Sequence, residues 1–381
     1  RRTNSAVIVD AGGDFRSNVL DNLFMKKMAL GGTIGPDVKD NIAETLKDHN
    51  RAGGNAKFGA TYYSFSPQVL GKEDWGWSLG VSQNFDYRLT FPRELYEVAF
   101  EGNAQFAGEE VRMTRVNAHF IDYQKLSLGL FDKNNFSRVS LSVLNGRSAF
   151  ALDGGAALFT SELGDSLALR TAGTAMLTDP ENTGSLASNG LGASIDAMIN
   201  APLGEGKSFI RFTVEDLGFM AWNQSTQNYL VNDTVIFTGV EVNDFSDGAL
   251  GELQVPAFLD SLEVLDEAFS QVWAMKTKVG VSFVNESTEG HFLEFGVRVQ
   301  SQGGIPPLVY GSYHYLIDKS TSIYARASIG GYGRLRIGAG VEKYWNHWYL
   351  SAQTGDLPGL ILDDLRGRGA WFSVGRFFQK Q

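Results

Sequence analysis

Residues 322–345 read SIYARASIGGYGRLRIGAGVEKYW. Ile323, Ala325, Ala327 and Ile329 alternate with Tyr324, Arg326 and Ser328, and after Gly330-Gly331 the pattern resumes, with Leu335, Ile337, Ala339 and Val341 set against Arg334, Arg336, Gly338, Gly340 and Glu342. Successive side chains of a β-strand point to opposite faces, so strict alternation marks a strand with one apolar and one polar face. The stretch therefore reads as a hairpin with a greasy face and an arginine-bearing face. Taken alone it suits a soluble sandwich as well as a membrane barrel.

The same alternation recurs along the chain. Trp75, Trp77, Leu79 and Val81 oppose Ser78, Gly80 and Ser82; Val116, Ala118 and Phe120 oppose Arg115, Asn117 and His119; Ile210, Phe212 and Val214 oppose Arg211, Thr213 and Glu215. AKFGATYYSF, KLSLGLF, SRVSLSVL, GLGASIDAMIN, TKVGVSF, HFLEFGVRVQ, PLVYGSYHYL, NHWYLSAQ and AWFSVGRFF complete the series. About fourteen strands result, a number typical of a membrane barrel. Aromatic residues gather near strand ends, as girdles at the water boundaries require: Trp75 and Trp77; Tyr344, Trp345 and Trp348; Trp371, Phe377 and Phe378. The expected fold is all-β, one transmembrane antiparallel barrel over residues 1–381 with short helices at its ends and in its loops.

Bulk composition agrees. The 381 residues carry 33 basic and 43 acidic side chains for a net charge of −10, which argues against nucleic acid as partner, since phosphate binding needs a basic stripe. There is no cysteine, which excludes a disulfide framework and a cysteine zinc site. No run of about twenty apolar residues marks a transmembrane helix, yet a transmembrane strand needs only roughly 9–11 residues with every second one apolar. Two stretches read as helices: 37–53, introduced by Pro36 and stopped at Gly53-Gly54, and 92–102, stopped at Gly102. Residues 222–271 break the regularity and read as a long polar loop or cap, with a helix expected in FLDSLEVLDEAF.

The pattern FDYRLTFPRELYEVAFEGNAQFAGEEVRMTRVNAHFIDYQKLSLGLF, followed by VEDLGFMAWNQ and FLDSLEVLDEAFSQVWAMKTKVGVSFV, resembles an uncharacterised outer-membrane barrel family of Bacteroidota, itself similar in architecture to the long-chain fatty-acid transporter-type barrels. The resemblance runs from about Asn18 to the C-terminus and implies a barrel in a Gram-negative outer membrane, with outer-membrane lipid around it. It implies no catalytic activity. An Asn-Pro-Ala motif of neighbouring families is missing, so the N-terminus is open to being a plug or a strand.

The search for chemistry returns little. The five histidines lie far apart without metal-ligand spacing, no HExxH, EF-hand or Walker sequence is present, and Gly330-Gly331-Tyr332-Gly333 joins two strands, so it reads as a hairpin turn. No enzyme, cofactor or metal site is expected. The one constellation is a ladder of charges on the polar face: Arg211, Glu215, Glu294, Arg298, Arg326, Arg334, Arg336 and Glu342. Two readings stay open for it: an electropositive constriction for anionic solutes, or a salt-bridged filling that closes the lumen. Asp-Ser/Thr-apolar triplets place candidate O-glycosylation at Ser166, Thr234 and Ser261. The expected function is porin-like passage or transport of a hydrophobic solute, with a lateral opening looked for at Gly303-Gly304-Ile305-Pro306-Pro307. The alternative is an accessory scaffold subunit of an outer-membrane assembly or secretion complex, bound to other outer-membrane or periplasmic proteins.

Overall fold

The computed structural model describes residues 3–65, 68–162, 166–204, 207–238, 264–266, 272–286, 290–301 and 303–379. Eighteen strand segments make the fourteen staves of one closed antiparallel barrel. The first five staves are β1 (Thr3–Ser17), β2 (His49–Ser64), β3 (Trp75–Pro92), β4 (Glu110–Asp132) and β5 (Arg138–Thr160). The next three are built of pieces. β6 (Ser166–Leu177) and β7 (Gly190–Leu203) share one stave, β8 (Ser208–Trp222) and β9 (Gln227–Thr238) the next, and β10 (Val264–Asp266), β11 (Val272–Ala274) and β12 (Lys278–Glu286) the third. Six single strands finish the wall: β13 (His291–Gln300), β14 (Leu308–Asp318), β15 (Thr321–Ile329), β16 (Arg336–Trp345), β17 (Trp348–Thr354) and β18 (Gly367–Gln379). β18 then pairs with β1 from Thr3↔Gln379 to Arg16↔Gly367 and closes the cylinder.

Register decides which face meets lipid. Paired positions such as Leu128↔Leu141, Leu141↔Ile195, Val281↔Val297 and Val9↔Val374 all point outward, and the outward side chains are apolar and exposed, Leu141 by 62% and Phe295 by 58%. An exposed apolar belt around a cylinder with a polar interior is the inverse of a soluble protein and fits a hydrocarbon solvent. Trp77, Tyr315, Trp345 and Trp348 edge the belt near the rim of the two-residue turns Lys319-Ser320 and Asn346-His347. At that rim Lys72 lies over the Trp75 ring at 4.9 Å and Arg376 over Trp348 at 4.7 Å, cations drawn up beside interfacial aromatics. Trp371, expected in the girdle, instead faces the lumen, because its neighbours Phe372 and Ala370 have taken the outward parity.

Ring-on-glycine pairs line the inside. Trp371 opposes Gly12, Tyr310 opposes Gly296, Tyr324 opposes Gly340 and Phe131 opposes Gly76, and a Cβ on any of these glycines would lie within 2.7 Å of the facing ring. Glycine is what lets a large ring lie flat against the wall.

The opposite rim carries the long connections. There Asp21 caps α1 (Asn22–Leu30) by accepting the Phe24 N–H at 2.7 Å, α2 (Pro36–Ala43) starts on proline, and α3 (Arg93–Phe100) packs beside them. Val19, Leu20, Phe24, Ile42, Leu46 and Tyr96 form a buried core between these helices and the tops of β1 to β3. Asn22 stitches this cap to α4 (Leu357–Ile361) and the start of β18, its amide reaching the carbonyls of Gly359, Leu362 and Gly367 at 3.1 Å each.

Several sequence expectations are corrected. The helix expected over 37–53 ends at Ala43, and β2 already begins at His49. Gly53 and Gly54 are wall positions beneath the Tyr332 and Tyr87 rings, not a helix stop. α1 was not foreseen. α3 falls inside the expected 92–102. Within 222–271, Gln227–Thr238 is strand and Val264–Asp266 pairs with it in place of a helix, while 239–263 and 267–271 lie outside the described residues. The strand expected from Arg334 begins at Arg336. The Gly-Pro stretch at 303–307 opens no gap: β13 and β14 pair without a break from His291↔Tyr315 to Arg298↔Leu308. The N-terminus, from Thr3, is strand.

β4 and β5 are 23 residues long, about twice a membrane crossing. β5 pairs with β7 along Arg138–Gly146 and with β6 along Phe150–Thr160, and β6 pairs in turn with β9, so a four-stranded wing continues past the apolar belt. Asn189, fully buried, rivets the junction: its amide reaches the carbonyls of Arg147 and Asn182, and its Oδ1 accepts from Asn182 and Asn223. A charge placed on the lipid face tests the assignment of faces. Leu141→Arg is expected to cost about 2–4 kcal/mol in vesicles, read by urea unfolding, whereas Leu141→Phe stays near neutral.

Candidate functional site: the charged lumen

The inward parity gathers polar side chains from nearly every stave around a cavity of about 800 Å³. Among the described residues, eight lysines and arginines and six aspartates and glutamates line it, a basic excess inside a chain whose net charge is −10.

Most of these charges are tied into pairs. Lys125 reaches Asp196 at 2.7 Å and Asp216 at 2.6 Å, and Tyr123 donates to Asp216 at 3.4 Å. This knot depends on a bulge. The β7–β8 register shifts between Ile195 and Ala197, Asp216 takes φ 55°, and both Glu215 and Asp216 thereby line the cavity. Lys276 holds Asp86 at 2.7 and 2.8 Å while lying 5.0 Å from the centre of the Tyr332 ring. Glu215 sits between Lys278 at 3.7 Å and Arg298 at 3.8 Å. Glu294 accepts from Ser282 at 2.7 Å and Tyr310 at 3.0 Å and faces Arg211 at 3.6 Å; Arg211 in turn donates to Asn200 at 2.9 Å. Buried charges need such partners, since an unpaired one carries its full desolvation cost.

Of the eight ladder residues, six stand on the lumen wall in three groups: Glu215 with Arg298, Arg211 with Glu294, and Arg326 and Glu342 on the neighbouring β15 and β16. Glu342 accepts from Ser322 at 3.3 Å and Tyr349 at 3.2 Å. Arg326 lies with its guanidinium 3.9 Å from the centre of the Tyr310 ring. The other two stand at the cap end of the wall. Arg334 precedes β16 and donates to the Asn18 carbonyl at 2.8 Å; Arg336, only 6% exposed, is wedged under the 330–335 turn with Nε and Nη2 unbonded among the described residues. Nearby, burial raises the Asp356 carboxyl above the usual range against the pull of the Gly359 N–H, Arg336 and Arg16, and burial with Arg334 at hand lowers Arg366.

Sequence reasoning missed Lys125, Asp216, Asp86 and the Asp14–Arg16 pair, which lies under the cap. Alternation could have found Asp86 and Lys125, which share parity with lumen residues; no local signal announces the bulge at Asp216. Three of the five histidines sit among rings, His119 on Trp273 at 4.6 Å, His291 on Tyr315 at 5.1 Å and His314 on Tyr324 at 4.8 Å, while His49 meets Arg115 at 3.1 Å; among the described residues no group of three or more His, Asp or Glu is placed to hold a metal. Ser166 opens β6 opposite Thr238, and Thr234 lies opposite Arg170 in the same ladder, so both are strand positions; Ser261 is outside the described residues.

The sequence matches the family of unknown function DUF5723 over residues 7–352, and the chain belongs to that family. No curated protein matches its sequence. Among solved structures it is similar to the toluene transporter TodX of Pseudomonas putida, at 8% identity over 100% of this chain and 91% of that one with a TM-score of 0.41. A FadL homologue of Pseudomonas aeruginosa is similar at 11% identity over 99% and 90%, TM-score 0.38. The β domain of the Bordetella autotransporter BrkA is similar at 8% identity over 98% and 99%, TM-score 0.30. With values this low, the membrane face and the lumen rest on this chain's own register.

Lys125→Met strands two carboxylates in the wall. It is expected to cost on the order of 2–3 kcal/mol by urea unfolding, below a fully dry pair because Asp196 keeps some water contact, and adding Asp216→Asn should restore part of the loss.

Proposed function

We propose that this DUF5723 member is a porin-like transport barrel of the Gram-negative outer membrane, passing small polar solutes through its lumen past the cap formed by α1, α2 and α3. The observation that carries this reading is the cavity of about 800 Å³ lined by paired charges inside a closed barrel with an apolar exterior. Antiparallel barrels with short turns at one rim and long connections at the other are the outer-membrane architecture, with the long connections outside the cell. The cap then faces the exterior. Charged walls suit hydrophilic cargo better than the hydrophobic solute considered from sequence, because an apolar molecule would have to strip water from Lys125, Lys276, Lys278 and their partners.

The wing supports a second role as a partner-binding barrel. Strands twice the length of a crossing place the far ends of β4, β5, β6 and β9 beyond the belt, where another outer-membrane protein could pack on them. Stoichiometric co-purification from native membranes, lost on trimming 148–177 and 227–238 together, is the result that reading requires.

Passage is tested in planar bilayers. The intact chain is expected to show discrete conductance steps. Asn22→Ala, which cuts the three bonds that tie α1 to α4 and to the start of β18, should lengthen the open dwell time. A purified, heat-modifiable barrel that stays silent in both forms would end the conduit reading.

A further inference from the structure

Arg326 stands apart from Lys125, Lys276, Lys278, Arg211 and Arg298, each of which meets a carboxylate. Glu294 is engaged by Arg211, Ser282 and Tyr310, Glu342 by Ser322 and Tyr349, and Glu215 by Lys278 and Arg298. Among the described residues no carboxylate lies within 4 Å of the Arg326 guanidinium, and it donates no hydrogen bond to them; it rests on the Tyr310 ring and lines the cavity. Guanidinium carries five N–H donors in a planar fork that fits carboxylate or phosphate oxygens two at a time. Stacked on a ring whose hydroxyl is itself fixed by Glu294, the fork is held in place before any ligand arrives.

A second cation stands close by. Arg298 on β13 keeps only a loose 3.8 Å contact to Glu215, and β14, with Tyr310, is the single strand between it and Arg326. Arg298 pairs with Leu308 and Arg326 with Ser312, so two strand spacings across and four residues along set the two backbones roughly 16 Å apart, a span that two long side chains reaching toward each other close to the length of one small solute. We infer that Arg326, backed by Tyr310 and Arg298, forms a binding site for a small organic or inorganic anion bearing a carboxylate or phosphate group. As an account of what the barrel carries, the site rests on the conduit reading; as a binding site it stands apart from it.

The test is calorimetric titration of the whole detergent-purified chain with succinate and with inorganic phosphate. Saturable binding of at least one is expected, weakened tenfold or more by Arg326→Gln, less by Arg326→Lys, and unchanged by Arg376→Gln on the lipid face. Heat-modifiable migration confirms that each variant is folded, and Arg326→Lys serves if Arg326→Gln is not. Binding of neither anion, or equal binding by the folded variants, overturns the site. Conductance without binding removes the site and leaves the conduit; binding by a barrel silent in bilayers keeps the site and removes the conduit.

Discussion

A strand in hydrocarbon has no water to satisfy its amides, so every N–H and C=O along the belt must find a neighbouring strand, at several kcal/mol for each one that does not. The meeting of β18 with β1 is where that requirement is completed. Without it the sheet has two open edges in lipid; with it the described strands close into one ring, and everything else follows as geometry. Outward parity is fixed as apolar and inward parity as polar, and a one-residue slip anywhere would turn charges into the membrane.

Closure also explains why the lumen is so heavily paired. Lys125 keeps only 11% of its side chain exposed inside the fourteen staves, and it is stable there because Asp196 and Asp216 come within 3 Å of it. Structural pairing and solute handling are therefore not competing uses of the same ladder. Glu215, Glu294 and Asp216 neutralise the wall, and what they leave uncompensated defines the field that a solute meets.

Much of this was written in the sequence. The opening hairpin is β15 and β16 with the expected faces, Ile323, Ala325 and Ile337 outward and Arg326 and Glu342 inward, because a period of two is a local property that any window of six residues displays. What stayed hidden depends on partners far away in the chain. The bulge at Asp216 exists only against β7, Gly53 and Gly54 read as helix punctuation until Tyr332 and Tyr87 lie across them, and β9 looked like loop because its ladder partner β6 lies some sixty residues earlier. Arg334 was misplaced for a smaller reason: the alternation continues from β16, whose inward parity Arg336 keeps, into a turn that the cap, by bonding Arg334 to Asn18, has pulled out of the wall.

The glycines opposite the lumen rings have a consequence for how such a barrel changes over generations. At Gly12, Gly296 and Gly340 the bore is narrowed by the thickness of a ring and not by its length, since each ring lies flat on the strand beside it. A single methyl group added at Gly340 would meet the Tyr324 ring first and tip it toward the axis without touching the hydrogen-bonded ladder or the lipid face, whereas at Gly12 it would also press on the Ala370 carbonyl. Pore calibre is thus set by substitutions of one carbon atom, separable from fold and from membrane insertion, and relatives that share this wall are free to diverge in what they admit.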